Sequence, residues 1–225
     1  MTGRPPTSST TFYDRVEHAV LQAGLIVMGA LHPHRVDAKQ LDGGTLILLG
    51  AGKSFWPTLK SAPEWPGDHP VDRWSTRVVG QLARDLGAEA HFPFGGPPYA
   101  PFIDWALKSG RTFSSPVGAL VHDTVGMMIS YRGALHFTEE FIIPEVPGSS
   151  PCINCPAPCT QTCPVGALNS QNFYDVGACH AHLSTAAGQT CMTGGCLARL
   201  SCPLSEGAGR DAEQSAHHMK AFHPS

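Results

Sequence analysis

The first 150 residues contain no cysteine, and the chain carries little charge: Asp, Glu, Lys and Arg make up 15% of it, with a formal net charge of −3. Each shortage excludes something. The lysines and arginines are scattered, so no basic stripe points to nucleic acid. The longest apolar runs, such as residues 19–31, are broken by glutamine and glycine and are too short to span a bilayer. Met1 to Thr11 is polar and proline-containing, without the apolar stretch of a secretory leader. The expectation is a soluble cytoplasmic protein with no membrane or nucleic-acid partner, whose thiols stay reduced. No internal repeat is found beyond two groups of cysteines. Glycine and proline are plentiful by contrast, 24 and 20 of the 225 residues, which favours turns over long helices.

What the front lacks, the back concentrates. Cys152, Cys155, Cys159, Cys163, Cys179, Cys191, Cys196 and Cys202 all lie after residue 150. The run Cys152–Pro164, C-I-N-C-P-A-P-C-T-Q-T-C-P, follows the bacterial ferredoxin pattern C-x2-C-x2-C-x3-C-P with one extra residue between Cys155 and Cys159. A short irregular loop dense in thiolates is what gripping an iron–sulfur cubane requires. Val165-Gly166-Ala167-Leu168 is similar to the small apolar tail of such motifs. The second group runs C-x11-C-x4-C-x5-C-P and closes at Pro203, with every gap longer than in the compact motif. Two groups of four, each ending in Cys-Pro, is the layout of a two-cluster ferredoxin module. There the fourth cysteine of one group ligates the other group's cluster. That implies Cys152, Cys155, Cys159 and Cys202 at one [4Fe–4S] cluster, and Cys163, Cys179, Cys191 and Cys196 at the other.

Two alternatives stand beside this reading. Structural zinc favours C-x2-C knuckles, and only Cys152/Cys155 has that spacing. Disulfide frameworks belong to small secreted chains. His180 and His182, next to Cys179, are placed to replace a thiolate or tune a cluster, or else are exposed helix residues. His217, His218 and His223 fall in what reads as a polar C-terminal tail.

In the front half, Phe12, Val16, Ala19, Val20, Ala23 and Ile26 recur at helical spacing, predicting a helix from Phe12 that ends near Gly24 or Gly29. Thr45–Gly50 reads as a buried strand. Gly50-Ala51-Gly52-Lys53-Ser54 is reminiscent of a phosphate-binding loop, but the position that must be glycine is Ile47. A helix over residues 73–86 has Asp68 as cap and Gly87 as stop. Residues 88–92 read as a strand and 101–109 as a helix. Residues 118–122, 126–131 and 133–137 read as extended. Phe55, Trp56, Trp65 and Trp74 are either core or pocket wall. This order of elements predicts an α/β sandwich with a mixed sheet, followed by a proline-rich linker over 143–151. The domain expectation is residues 1–147 as the α/β domain and 148–225 as the cysteine module.

The run Ala100-Pro101-Phe102-Ile103-Asp104-Trp105-Ala106-Leu107-Lys108-Ser109-Gly110, then Gly118-Ala119-Leu120-Val121, then Tyr131-Arg132-Gly133, resembles the cobalamin-dependent epoxyqueuosine reductases. His69-Pro70-Val71-Asp72, residues 127–133 and Ile142–Pro147 are also similar to the cobalamin-processing decyanase (CblC-type) proteins. The resemblance spans residues 45–205. It implies an α+β, nitroreductase-like (corrinoid-domain-like) front half, base-off cobalamin, and two [4Fe–4S] clusters passing electrons to cobalt. Arg132 matches an arginine that faces the corrinoid or a thiol cofactor in the decyanase-like motif. His122 is the other cofactor-side candidate, a hydrogen-bonded structural histidine being the alternative.

One departure bears on substrate. The reductases place an acidic proton donor just before the Ala-Pro of the helix; here Pro97-Pro98-Tyr99 offers no carboxylate, and Tyr99 is a poor substitute. The C-terminal extension that reads tRNA in those enzymes is also missing from the expectation, so reduction of epoxyqueuosine itself is not expected. The reading is an iron–sulfur electron-transfer or reductase protein serving a cofactor, with cobalamin as candidate, or a small-molecule substrate, fed by a redox partner protein. The alternatives are a cobalamin-binding or processing protein and a structural zinc module on an interaction domain.

Overall fold

A computed structural model of the protein describes residues 11–146, 148–171 and 173–224. Thr11 and Asp14 form a reciprocal capping box that starts helix α1 (Phe12–Gln22), whose Tyr13, Val16 and Val20 turn inward. Of the two ends expected for it, the helix takes the earlier, at Gly24, and not Gly29. Gly24 (φ +84°) turns the chain, and Leu25–Leu31 becomes strand β1. Helical spacing across residues 23–31 was therefore coincidental: Leu-Ile-Val-Met is a run buried on both faces, and such a strand shows no alternation to separate it from a helix. Met28 is the extra residue of a bulge between Val27 and Gly29.

Strand β2 (Thr45–Ala51) is buried throughout, and α2 (Phe55–Lys60) follows it after a short turn. Helix α3 (Pro70–Leu86) starts at Pro70, with its cap position at His69 (φ +45°) and no side-chain cap; Asp68 does not serve as the cap expected of it. Gly87 (φ +72°) ends it as expected. Next come β3 (Glu89–His91), α4 (Phe102–Lys108), the hairpin of β4 (Thr112–Ser114) and β5 (Leu120–His122), and β6 (Tyr131–Phe137). Residues 126–130, expected to be extended, form an irregular loop between β5 and β6.

The main sheet has the order β1-β2-β6-β3, and all three pairings are antiparallel rather than mixed. The reason is topological. Strands β2 and β3, joined through α2 and α3, run the same way, but β6 arrives last and inserts between them, opposed to both. Alternate residues feed two cores. Ile47, Leu49, Leu135 and Phe137 pack against α1 and α3, with Phe55, Trp56 and Trp74 filling that layer. Leu46, Leu48, Tyr131 and Ala134 pack against Phe102 and Trp105 of α4, with Met28 and Met128. Burying each such side chain contributes about 1.5–3 kcal/mol. The aromatics are core.

The cysteine-rich half is built of small pieces: β7 (Leu168–Asn169), β8 (Phe173–Tyr174), α5 (Val176–Leu183), α6 (Gln189–Gly194), α7 (Leu197–Leu200) and α8 (Ala212–Phe222). Helix α8 replaces the expected polar tail. Asp211 caps it, and Gln214 and Ser215 are buried. Glu213 reaches across to the front half, 2.5 Å from Lys60 Nζ and 3.3 Å from Trp56 Nε1, while His217 lies against Trp56 and Trp65. Polar composition hid this helix because its inward face meets polar and aromatic partners rather than an apolar core.

The two halves do not hang on a flexible linker. Val117, Val121 and Met127 of the front pack with Cys159, Leu168 and Ala198 of the back in one cluster. Gly126 and Gly207 lie where the loop after β5 touches the turn at Pro203–Ala208; a Cβ on Gly207 would run into the Thr124 carbonyl, and one on Gly126 into the Ser205 backbone. No helix among the described residues is long and apolar enough to cross a membrane.

Candidate functional site

The eight cysteines, all free thiols, separate into two interleaved quartets. Cys152, Cys155, Cys159 and Cys202 line one small enclosed cavity, together with Ser115, Val121 and Met127 of the front half. Cys163, Cys179, Cys191 and Cys196 line a second, with Leu168, Tyr174, His182 and Leu183. Each quartet takes three cysteines from one sequence group and one from the other. Local structure produces the crossing. The three-residue turn Pro158–Thr160 buries Cys159 and packs on α7, which runs between Cys196 and Cys202 and so presents them to opposite cavities.

The spacing of the sulfurs decides what such quartets can hold. Tetrahedral zinc with Zn–S of about 2.3 Å would draw its sulfurs to about 3.8 Å from one another. Among the described residues the sole set of three or more potential ligand atoms mutually within 4.8 Å is Glu89, His91 and His136, on the main sheet and away from the cysteines. No three cysteine sulfurs among the described residues lie mutually within 4.8 Å, so neither quartet stands at the spacing to which a single zinc ion draws its ligands, whereas a multi-iron cluster takes sulfurs set farther apart. Their surroundings agree with that chemistry. The amide of Ala167 donates to Cys163 Sγ at 3.2 Å. The Tyr174 hydroxyl and the Leu197 backbone hydrogen-bond the Cys179 and Cys191 sulfurs. Burial pushes the Cys152, Cys159, Cys179 and Cys191 thiols up, so these become thiolates when a cation joins them. Each cavity also contains one orphaned buried polar atom, Ser115 Oγ in the first and His182 Nε2 in the second. An orphan of this kind costs about 1–3 kcal/mol unless something in the cavity accepts its hydrogen. The sulfur atoms of a bound cluster would do so.

Histidines 180 and 223 do something else. His180 Nδ1 and His223 Nδ1 are 2.6 Å apart, and the His180 ring packs at a tilt against Phe222, tying α5 to α8.

A third and larger cavity, of about 410 Å³, lies between the halves and shares walls with both quartets. Met127 borders it and the first quartet; Leu168, Tyr174, Cys179 and Cys196 border it and the second. Sequence reasoning missed its most distinctive residues, Arg199, Arg210 and His218. Arg199 is half-buried and donates to the Met127 carbonyl at 2.7 Å and the Ile129 carbonyl at 3.3 Å. Arg210 donates to the Met128 carbonyl at 3.2 Å, and burial beside the Arg199 and Arg132 guanidiniums pulls it down to about 9. Burial beside the same arginines holds His218 neutral, down to about 3. The available signal was two arginines flanking the last Cys-Pro, Arg199 on a four-residue helix and Arg210 in the loop before α8, neither in a stretch long enough to show periodicity.

The two cofactor-side candidates fare differently. Arg132 lies on β6 in the wall of an adjoining open cleft with Tyr99, Phe102 and Tyr131; its Nη1 is 3.4 Å from Asp72 Oδ1 and its Nε is buried without a partner. His122 is fully buried, its Nε2 bonded to the Met28 carbonyl at 3.0 Å and its Nδ1 accepting the Thr124 amide at 3.1 Å. Burial also keeps it neutral. Neither ring nitrogen is free for a cofactor, so His122 is a structural pin between β5 and β1. Tyr131, its hydroxyl 2.8 Å from Thr112 Oγ1, is pushed by burial to about 12 and is no proton donor either.

Compared with protein-family models, curated proteins and solved structures, the chain matches none.

Proposed function

We propose that this protein is an iron–sulfur electron-transfer reductase: its two cysteine quartets hold two [4Fe–4S] clusters, and its acceptor binds in the cavity between the halves. The observation that carries the reading is the pair of quartets whose sulfurs stand wider than a single zinc ion draws them, each with a buried, unpaired polar side-chain atom in a residue of its wall. When bound, the clusters supply one-electron transfer at a potential set by their burial and hydrogen bonds. The chain's own residues do the rest. Cys152, Cys155, Cys159 and Cys202 would hold one cluster, and Cys163, Cys179, Cys191 and Cys196 the other. Ser115, Tyr174, His182 and the Ala167 amide direct hydrogens at sulfur, which favours the reduced state. Leu168, Met127 and Leu183 keep water from the quartets. The shared walls bring both clusters to the edge of the central cavity, so no long-range step is needed.

Under this reading the α+β front half is of the nitroreductase-like, corrinoid-binding kind. The open cleft beside Arg132, with Phe102 and Tyr131 in its wall, would then be the place for cobalamin. Eight free thiols fit a reducing compartment such as the cytoplasm.

The test is iron and acid-labile sulfide per chain on anaerobically purified protein, with its visible spectrum. The expected result is brown protein with about eight of each, the sum of two cubanes. Stoichiometric zinc in colourless protein, with no iron after reconstitution, would overturn the proposal.

A further inference from the structure

The central cavity gathers positive charge that no carboxylate in its lining offsets. Its lining includes Arg199 and Arg210 and no aspartate or glutamate. Arg132 adds a third guanidinium close enough to repel Arg210, and the carboxylate paired with it, Asp72, is half exposed on the far side. A buried cation normally sits opposite an anion, because leaving its charge uncompensated in a low-dielectric interior costs several kcal/mol. Arg199 has a partner in prospect, since the Cys196 sulfur lies near enough to favour its charge. Arg210 has no ion-pair partner among the described residues, and the neighbouring charges that shift it, those of Arg199 and Arg132, are both positive.

Nor are the donors used up. A guanidinium carries five N–H groups, and the loop carbonyls of residues 127–129 take two contacts from Arg199 and one from Arg210. Arg210 Nε is buried with no partner, and so is Nε2 of His218 across the cavity wall. Around these polar atoms the rest of the lining is largely apolar, with Leu120, Met219 and Phe222 in it. The cavity therefore offers cationic donors set in a greasy wall.

We infer that this cavity binds an organic anion, an apolar body carrying a carboxylate or phosphate head, with Arg210 as its principal anchor and Arg199 and His218 as flanking donors. Resting on the proposed function, the inference names the class of molecule that the clusters serve. Arginine suits the task because its planar fork meets an oxyanion with two parallel hydrogen bonds. The cavity volume of about 410 Å³ suits a small molecule rather than a macromolecular segment.

The experiment is calorimetric titration of the cluster-loaded full chain with benzoate, phenyl phosphate and benzamide, the last a neutral mimic of benzoate. Saturable binding of benzoate or phenyl phosphate is expected, with benzamide at least tenfold weaker. Arg210→Gln should weaken the anion at least tenfold while iron content holds, and Arg210→Lys should restore part of the loss. The exposed Arg15→Gln should change nothing. Absence of saturable binding by either anion, equal binding of benzamide, or unaltered binding in an iron-replete Arg210→Gln protein would each overturn the inference. If Arg210→Gln does not fold, the benzoate–benzamide comparison on the unsubstituted protein decides alone. Eight irons with no anion binding would sink this inference and leave the cluster reading standing. Anion binding in a protein that takes up no iron would do the reverse.

Discussion

At the scale of single residues, what matters is which atoms are left without partners and which are spoken for. Ser115 Oγ and His182 Nε2 are buried, unpaired, and each in the wall of a different cysteine cavity, while Tyr174 is already bonded to Cys179. Hydrogen bonds to cluster sulfurs stabilise the electron-rich reduced form. Ser115→Ala should lower the potential of the first cluster alone, and Tyr174→Phe that of the second alone. Each shift should be about 20–60 mV, the one-electron equivalent of ~0.5–1.5 kcal/mol for one hydrogen bond. Potentiometric titration followed by electron paramagnetic resonance reads both. A shift in both clusters at once, or an upward one, would show that these hydroxyls do not face separate sulfurs. A second residue-scale expectation concerns acid stability. Glu64 is nearly buried and accepts two hydrogen bonds from Arg77, at 2.6 and 3.0 Å, which hold its carboxyl below the usual range. A depressed folded-state pKa contributes stability above the unfolded value and loses it as pH falls through the folded one. Glu64→Gln should therefore cost ~0.5–1 kcal/mol at neutral pH, the modest figure reflecting the exposure of Arg77. The gap between the two melting curves should close as pH drops below about 4, where the unfolded chain's glutamate also protonates. A gap constant from pH 7 to pH 3 would rule this out.

Elements were legible in proportion to how self-contained their signals were. Helix α3 could be read from Trp74, Val79 and Leu82 with Gly87 as its stop, because one amphipathic face and one left-handed residue suffice to specify it. The sheet was harder. Strand β1 hid inside a helical pattern, since Leu25, Val27, Met28 and Leu31 are buried on both sides and a bulge breaks their period. Strand order was beyond reach, because the insertion of β6 between β2 and β3 is a long-range choice with no local mark. Helix α8 was invisible for a third reason: its partners, Lys60, Trp56 and Trp65, lie some 150 residues upstream. Its docking can be tested. A chain ending before Asp211 should expose Trp56 and Trp65, red-shifting tryptophan emission, and should lose the cavity wall formed by Ser215, His218 and Met219. The seam at Gly207 is a sharper probe. Gly207→Ala drives a Cβ into the Thr124 carbonyl, where backbone rather than a flexible side chain has to yield. A loss of about 1–3 kcal/mol is expected, as for overpacked interiors. It should come with faster proteolysis between the halves and with the main sheet intact by circular dichroism. An unchanged melting temperature would mean the halves are not coupled there.

For the whole molecule the question is whether two cysteine groups make two separate sites or one interlocked unit. The groups were visible from spacing alone, and their crossing followed from the Cys-Pro endings; the central arginines were not, because nothing local distinguishes Arg199 and Arg210 from surface residues. In the fold, the last cysteine, Cys202, closes the cavity begun by Cys152, while Cys163 leaves its own group for Cys179, Cys191 and Cys196. Loops of this length are held at both ends, so each quartet constrains the chain that builds the other. Substituting a ligand should therefore have effects that follow the cavities and not the sequence. Cys202→Ser and Cys155→Ser, 47 positions apart, should yield the same spectroscopic species, with about four irons lost, one cubane. Cys163→Ser, only eight positions from Cys155, should instead match Cys191→Ser. Both pairs should retain the other cluster's signal, weakened where the shared turn at Pro158–Thr160 loosens. Were the variants to sort by sequence neighbourhood, with Cys163→Ser matching Cys155→Ser, each group would be closing on itself. The central cavity would then border a different pair of metal centres, and the electron path to it would have to be redrawn.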